Sequence, residues 1–172
     1  MDRRGKERDI EVRSSMTTND QRFKDLLSRL HTQVLKPAGF KKENSNFRII
    51  QPNGTCKILN FQRSMWNDGT ECKFCINVGL YFQKDPEHPN LRFKEYECQV
   101  RRRAGFMSER YREDHWWCLF EGRDMESLYA DLKRTLTEDV LPWLDRFDTR
   151  QDVIRAGQSG TLNAHIWGSL YE

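Results

Sequence analysis

The chain has 172 residues and a mass of 20.6 kDa, the size of one domain with room for a core that needs no metal or disulfide. Aromatic residues at 12% argue against disorder, and no window approaches the ~18 consecutive apolar residues of a membrane-spanning helix. The net charge of +3, from 29 basic and 26 acidic residues, is too small to point to nucleic acid.

The distribution of charge says more than its total. Residues 92–112 carry seven basic and three acidic side chains, whereas residues 121–152 carry nine acidic and five basic. Such asymmetry either steers a charged partner or places an acidic helix beside a basic strand. Residues 1–15 have no hydrophobic period and read as a flexible charged arm, with residues 16–172 as a single domain. That arm lacks the apolar stretch of a signal peptide, so a soluble, cytoplasmic protein with reduced cysteines is expected.

Thr18 with Gln21 suggests a capping box, followed by Phe23, Leu26, Leu27, Leu30 and Val34 at helical spacing. Pro37 and Gly39 end that helix. Strands are predicted over residues 46–50, 55–65, 71–82 and 93–103, with Asn53-Gly54 and Asp68-Gly69 as turns. The third is the clearest, because Phe74, Ile76, Val78, Leu80 and Phe82 alternate without a break. In the fourth, Tyr96, Cys98 and Val100 are expected to face inward. A long helix begins near Asp124 as N-cap, and Pro142 should kink it or start a new turn. Thr149 and Asp152 form a capping box for a short helix that stops at Gly157. The tail, with Leu162, Ile166, Trp167, Leu170 and Tyr171, is apolar enough to dock. Hairpin-length connections favour antiparallel pairing. The predicted class is α+β: a single antiparallel sheet of about four strands or more with helices packed on one face.

Four segments in this order resemble a known family. They are Val34-Leu35-Lys36-Pro37-Ala38-Gly39-Phe40, Ile76-Asn77-Val78-Gly79-Leu80-Tyr81, Glu97-Cys98-Gln99-Val100-Arg101-Arg102-Arg103, and Val140-Leu141-Pro142-Trp143-Leu144. Over residues 18–156 the chain resembles the bacterial family catalogued as domain of unknown function 4304. The resemblance implies this fold and a bacterial cytosolic setting, and it brings no catalytic residue. That family usually has histidine where this chain has Gln99.

Candidate chemistry is sparse. Cys72 and Cys75 form a CxxC, but residues three apart on a strand point to opposite faces, which leaves one buried and one exposed and prevents shared zinc ligation. Glu71-Cys72-Lys73 has the look of half a metal-dependent nuclease site, yet Asp68 is too near in sequence to supply the second carboxylate. His115 and Cys118 could be drawn as a nucleophile pair, although their aromatic neighbours suggest packing. No metal or cofactor is expected.

A binding surface has better support. If the apolar residues face the helices, Gln99, Arg101 and Arg103 project from the opposite face, joined by Asn77 and Tyr81, and by Asn60 and Gln62. Arginine forks bind carboxylates and phosphates, unless they are already paired with Glu95, Glu97 or the acidic helix. Trp116 and Trp117 are adjacent, so both can hardly enter one core, and an exposed tryptophan makes a binding anchor. The expected function is a non-catalytic protein-binding module, in its sharpest form an immunity or antitoxin protein that neutralises a bacterial toxin. The alternatives are a nucleotide or nucleic-acid binder using the basic strand and stacking tryptophans, or an unrecognised enzyme.

Overall fold

The computed structural model describes residues 18–168 and 170. The charged arm expected over residues 1–15 and Tyr171 of the tail lie outside the described residues. Helix α1 covers residues 18–30 and widens into a π-turn at His31–Leu35, where the Lys36 N–H donates to the His31 carbonyl at 2.7 Å. Phe23, Leu26, Leu27, Leu30 and Val34 are buried, as their spacing predicts. Gly39 turns the chain with φ +96°, a conformation that costs other residues dearly. Thr18 is itself helical, and Gln21 gives its side-chain amide to Asp25 Oδ1 at 2.8 Å, one turn onward.

Among the described residues, seven antiparallel strands form one sheet. They are β1 (Lys41–Glu43), β2 (Asn46–Ile50), β3 (Thr55–Arg63), β4 (Glu71–Phe82), β5 (Val100–Arg103), β6 (Trp117–Phe120) and β7 (His165–Ile166). The order is β1-β2-β3-β4-β5-β7, with β6 also on β4. The outer edge of β4 is shared, because residues 77–80 pair with β5 and residues 71–74 with β6. Strand β3 stops at Arg63 rather than at Met65, where the chain turns out to solvent.

The helices cover one face of this sheet. Besides α1 these are α2 (Ala104–Met107), α3 (Met125–Arg134), α4 (Leu141–Leu144) and α5 (Arg150–Gln158). Asp124 caps α3, accepting from Glu126 N at 3.0 Å and Ser127 N at 3.3 Å. The expected interruption at Pro142 takes the form of a π stretch, Thr135–Val140, that carries α3 into α4. Proline lacks the N–H that an α-helical ladder needs, and a wider turn accommodates it. Thr149 and Asp152 exchange both bonds of the predicted capping box at the start of α5, which ends one residue past Gly157. The core joins Phe61, Phe74, Ile76, Val78 and Leu80 of the sheet to Leu30, Leu128, Leu132, Leu136 and Val153 of the helical layer. Leu162 and Leu170 of the tail are buried in it, whereas Ile166 and Trp167 are exposed.

One predicted strand is mostly something else. Within residues 93–103 only Val100–Arg103 pair as a strand, and Glu95–Glu97 form a 3-10 turn. Lys94 N donates to Glu97 Oε2 at 2.6 Å and closes that turn. The segment leaves the sheet plane and folds over the face that carries no helix. Phe93 stacks on Tyr81 with centroids 4.5 Å apart, and with Cys56, Ile58 and Cys98 it makes a second, smaller core. Tyr96, expected inward, is 71% exposed. Gly79 permits the close approach, because a Cβ there would lie 2.6 Å from Cys98 Sγ. The helix-free face is thus half covered, not fully open.

Candidate functional site on the helix-free sheet face

The uncovered half of that face holds the polar side chains that the alternation predicts. In register, Asn77 of β4 lies opposite Asn60 of β3 and Arg103 of β5, while Gly79 lies opposite Arg101. Asn77 Nδ2 donates to Asn60 Oδ1 at 3.1 Å and to Gln62 Oε1 at 2.8 Å, and Asn60 Nδ2 donates to Asn46 Oδ1 at 2.8 Å. A ladder of side-chain amides therefore crosses β2, β3 and β4. Asn77 is buried and held by its neighbours, whereas Gln62 is exposed.

Each of the three successive arginines of β5 lies against an aromatic ring. Arg101 is 5.6 Å from the Trp167 centroid, Arg102 5.2 Å from Phe106, and Arg103 5.1 Å from Trp116. Their charges are treated differently. Arg101 forks onto Glu95 through Nε at 2.7 Å and Nη2 at 3.0 Å, and that bond raises its pKa above the ordinary arginine value. Arg103 Nη1 reaches both Asp114 oxygens at 2.6 Å; burial lowers its pKa, but the Asp114 contact and nearby charges outweigh burial and raise it. Arg102 has no carboxylate partner among the described residues. Its Nη2 reaches the Phe106 carbonyl at 3.4 Å, its buried Nε has no partner, and burial lowers its pKa. These groups line a cavity of about 250 Å³ with Gln62 and Asn77 at one side and His165 and Trp167 at the other.

The predicted residues divide into two groups. Arg101, Arg103, Asn77 and Trp116 do meet on this face. Three others are engaged elsewhere. Trp117 is 3% exposed in the core on the opposite face, where its Nε1–H donates to Asp131 Oδ2 at 2.7 Å. Tyr81 lies under Phe93. Gln99 precedes β5, and its amide pairs with the Phe82 backbone at 3.0 and 3.3 Å instead of projecting from the sheet. As expected, adjacent Trp116 and Trp117 part company. The missed residues are Arg102, Phe106, His165 and Trp167. Alternation assigns Arg102 to the helix side, and only the pairing of β7 with β5 could have placed the tail here.

The other constellations do not assemble into sites. Cys72 and Cys75 face opposite sides of β4 as predicted, but both are buried. Burial raises Cys75 to about 11. Glu71 and Lys73 pair at 3.3 Å on the surface, and Asp68 is spent on Thr70 and Glu71 within its turn. His115 stacks on Tyr111, with centroids 3.6 Å apart, while Cys118 sits on β6 opposite Lys73 with a thiol pKa raised by burial. Among the described residues, no group of three or more His, Cys, Asp or Glu is placed to share a metal ion. No helix among them is long and apolar enough to cross a membrane.

The basic segment also reaches the acidic helix, as one expectation had it. Arg110 pairs with Asp131 of α3, which accepts in addition from the Tyr111 hydroxyl and from Trp117. The charge asymmetry along the chain is in part neutralised within the fold.

No curated protein and no solved structure matches the chain. The model of one family, described as domain of unknown function (DUF4304), matches residues 31–146, a span that runs from the end of α1 through the sheet face and its three arginines to the end of α4. The chain therefore belongs to the DUF4304 family.

Proposed function

We propose that this protein is a non-catalytic protein-binding module, and that it binds through the uncovered half of its helix-free sheet face. The observation that carries this reading is the amide ladder of Asn46, Asn60, Asn77 and Gln62, which leads to Arg103 and Trp116. Held polar groups beside a half-buried aromatic ring suit a protein interface, where aromatic anchors supply energy and satisfied polar groups supply register. A nucleic acid fits less well. Glu95 and Asp114 already engage Arg101 and Arg103, which leaves little charge for a phosphate backbone, and Trp117 is not available to stack. The sharpest form of the proposal is a bacterial cytosolic immunity or antitoxin protein that occludes a toxin.

A photo-crosslinking amino acid placed at exposed Gln62, in the native host, tests the surface. Exposed Glu138 on the helical side serves as the control position. Capture of one protein from position 62 and not from 138 supports the reading, and equal capture from both sinks it. Co-expression with the product of a neighbouring toxin gene tests the finer form, which fails if growth is not protected.

A further inference from the structure

We propose that the cavity beside β5 binds a single carboxylate, with Arg102 as its anchor and the rings of Phe106 and Trp167 as its walls. The inference rests on the reading of this face as a recognition surface and names the chemistry it recognises.

The charge count is the first support. Three guanidiniums, Arg101, Arg102 and Arg103, meet two carboxylates, Glu95 and Asp114. Among the described residues one positive charge is left, and it belongs to the arginine whose only acceptor among them is a carbonyl at 3.4 Å. A guanidinium presents five donors and stays charged even when burial disfavours it. Burial without a counter-charge is unfavourable, and a monoanion removes that penalty. A phosphate dianion would bring one charge too many and press on Glu95 and Asp114.

The second support is the shape of the edge. Strand β7 pairs with β5 only at Val100 and Arg101, so the outer edge at Arg102 and Arg103 has no strand beside it among the described residues. Arg102 can thereby line the same cavity as its two neighbours although its register partner Val78 faces the core. Phe106 and Trp167 are 42% and 57% exposed and flank the opening. At about 250 Å³ the space takes one carboxylate with a short apolar or aromatic body, such as a residue's side chain or a small organic acid.

The test uses the full chain with benzoate as probe, read by NMR at the Arg102 Nε–H and the Trp167 indole N–H. Benzoate should shift both signals saturably, whereas neutral benzamide should not. Arg102→Gln should weaken benzoate at least about ten-fold, the usual cost of losing a charge-assisted bond, and Arg102→Lys should retain part of the affinity. A capped tripeptide with a central glutamate separates the sources: tighter binding than benzoate identifies a protein carboxylate, and weaker binding a small acid. Equal binding of benzamide, unchanged affinity in Arg102→Gln with a native spectrum, or tighter binding of inorganic phosphate would overturn the proposal. If benzoate fails while crosslinking from position 62 succeeds, the carboxylate site falls and the protein-binding face stands.

Discussion

The side chain of Gln99 pairs with both backbone polar groups of Phe82: Oε1 accepts from Phe82 N at 3.0 Å and Nε2 donates to Phe82 O at 3.3 Å. A primary amide, unlike a trans peptide unit, carries an N–H on the same side as its C=O and can meet both groups of one residue, so Gln99 extends the ladder between β4 and β5 before β5 begins. Asn67 does the same at the other end of β4, accepting from Lys73 N at 2.8 Å and donating to Lys73 O at 3.1 Å. Both ends of the central strand are finished by side chains.

Replacing Gln99 with Met keeps the volume and removes both bonds. The expected loss is about 1–3 kcal/mol, from two neutral hydrogen bonds in a partly buried place. Urea unfolding should show it as a lower midpoint with unchanged slope. Gln99→His can supply one bond to this pair of groups and should fall between.

Asp131 ties three segments together, accepting from Arg110, Tyr111 and Trp117. Burial works against its charge, but the three donors hold its pKa below the ordinary aspartate value. Its stabilisation is therefore complete above about pH 4, the ordinary range, and is lost as pH falls through the lower folded value. Burial and the neighbouring carboxylate push Tyr111 up to about 12. Its contribution is complete below about pH 10, the unfolded value, and is lost as pH rises through the folded one. Melting temperature against pH should show both limits in the native protein. Asp131→Asn should make the acid limb shallower, with Asp20, Asp68, Asp85, Glu126 and Asp152 supplying the rest, and a wild-type pH profile in that variant would refute the assignment.

Gly79→Ala should destabilise the fold by about 1–3 kcal/mol, the usual cost of overpacking. The new methyl would meet Cys98 Sγ at 2.6 Å and Ile58 Cγ2 at 3.1 Å. Cys98→Ala in the same chain should recover part of the loss, a coupling that a double-mutant cycle measures. Purely additive effects would mean that the loop over residues 83–99 does not press on β4 at this point.

All five cysteines are free, and burial raises the thiol pKa of each. Thiols rather than thiolates prevail near neutral pH, so native labelling should be slow. Cys118, the one that is not fully buried, should react first, and Cys118→Ser should abolish the earliest phase of disulfide-exchange labelling. Rapid modification of Cys75 would contradict its buried place on β4 opposite Gln62 of β3.

The central hairpin was legible because Leu59 and Phe61 on one strand, and Phe74 to Phe82 on the next, repeat with period two and end in Asn-Gly and Asp-Gly turns. The same rule failed at Tyr96, and Cys98, buried as expected, enters the smaller core instead of the main one. The 3-10 turn repeats every three residues, so Glu95 and Cys98 are buried while Tyr96 and Glu97 between them are exposed. Alternation placed Arg101, Arg103 and Asn77 on the right face but excluded Arg102, whose access depends on where β7 stops. Trp116 and Trp117 were separable in principle, but which of them turns inward is decided by the pairing of Trp117 with Phe74. That contact spans more than forty residues of sequence and leaves no local mark.

The outer strands of the sheet are short: three residues in β1, two of them lysines, and on the other side two in β7 and four in β6. Long bare borders invite other chains to add themselves, and charged stubs discourage it. A chain shortened just before His165 would uncover the backbone of Val100 and Arg101. It should then clump on concentration, even if its interior remained well packed.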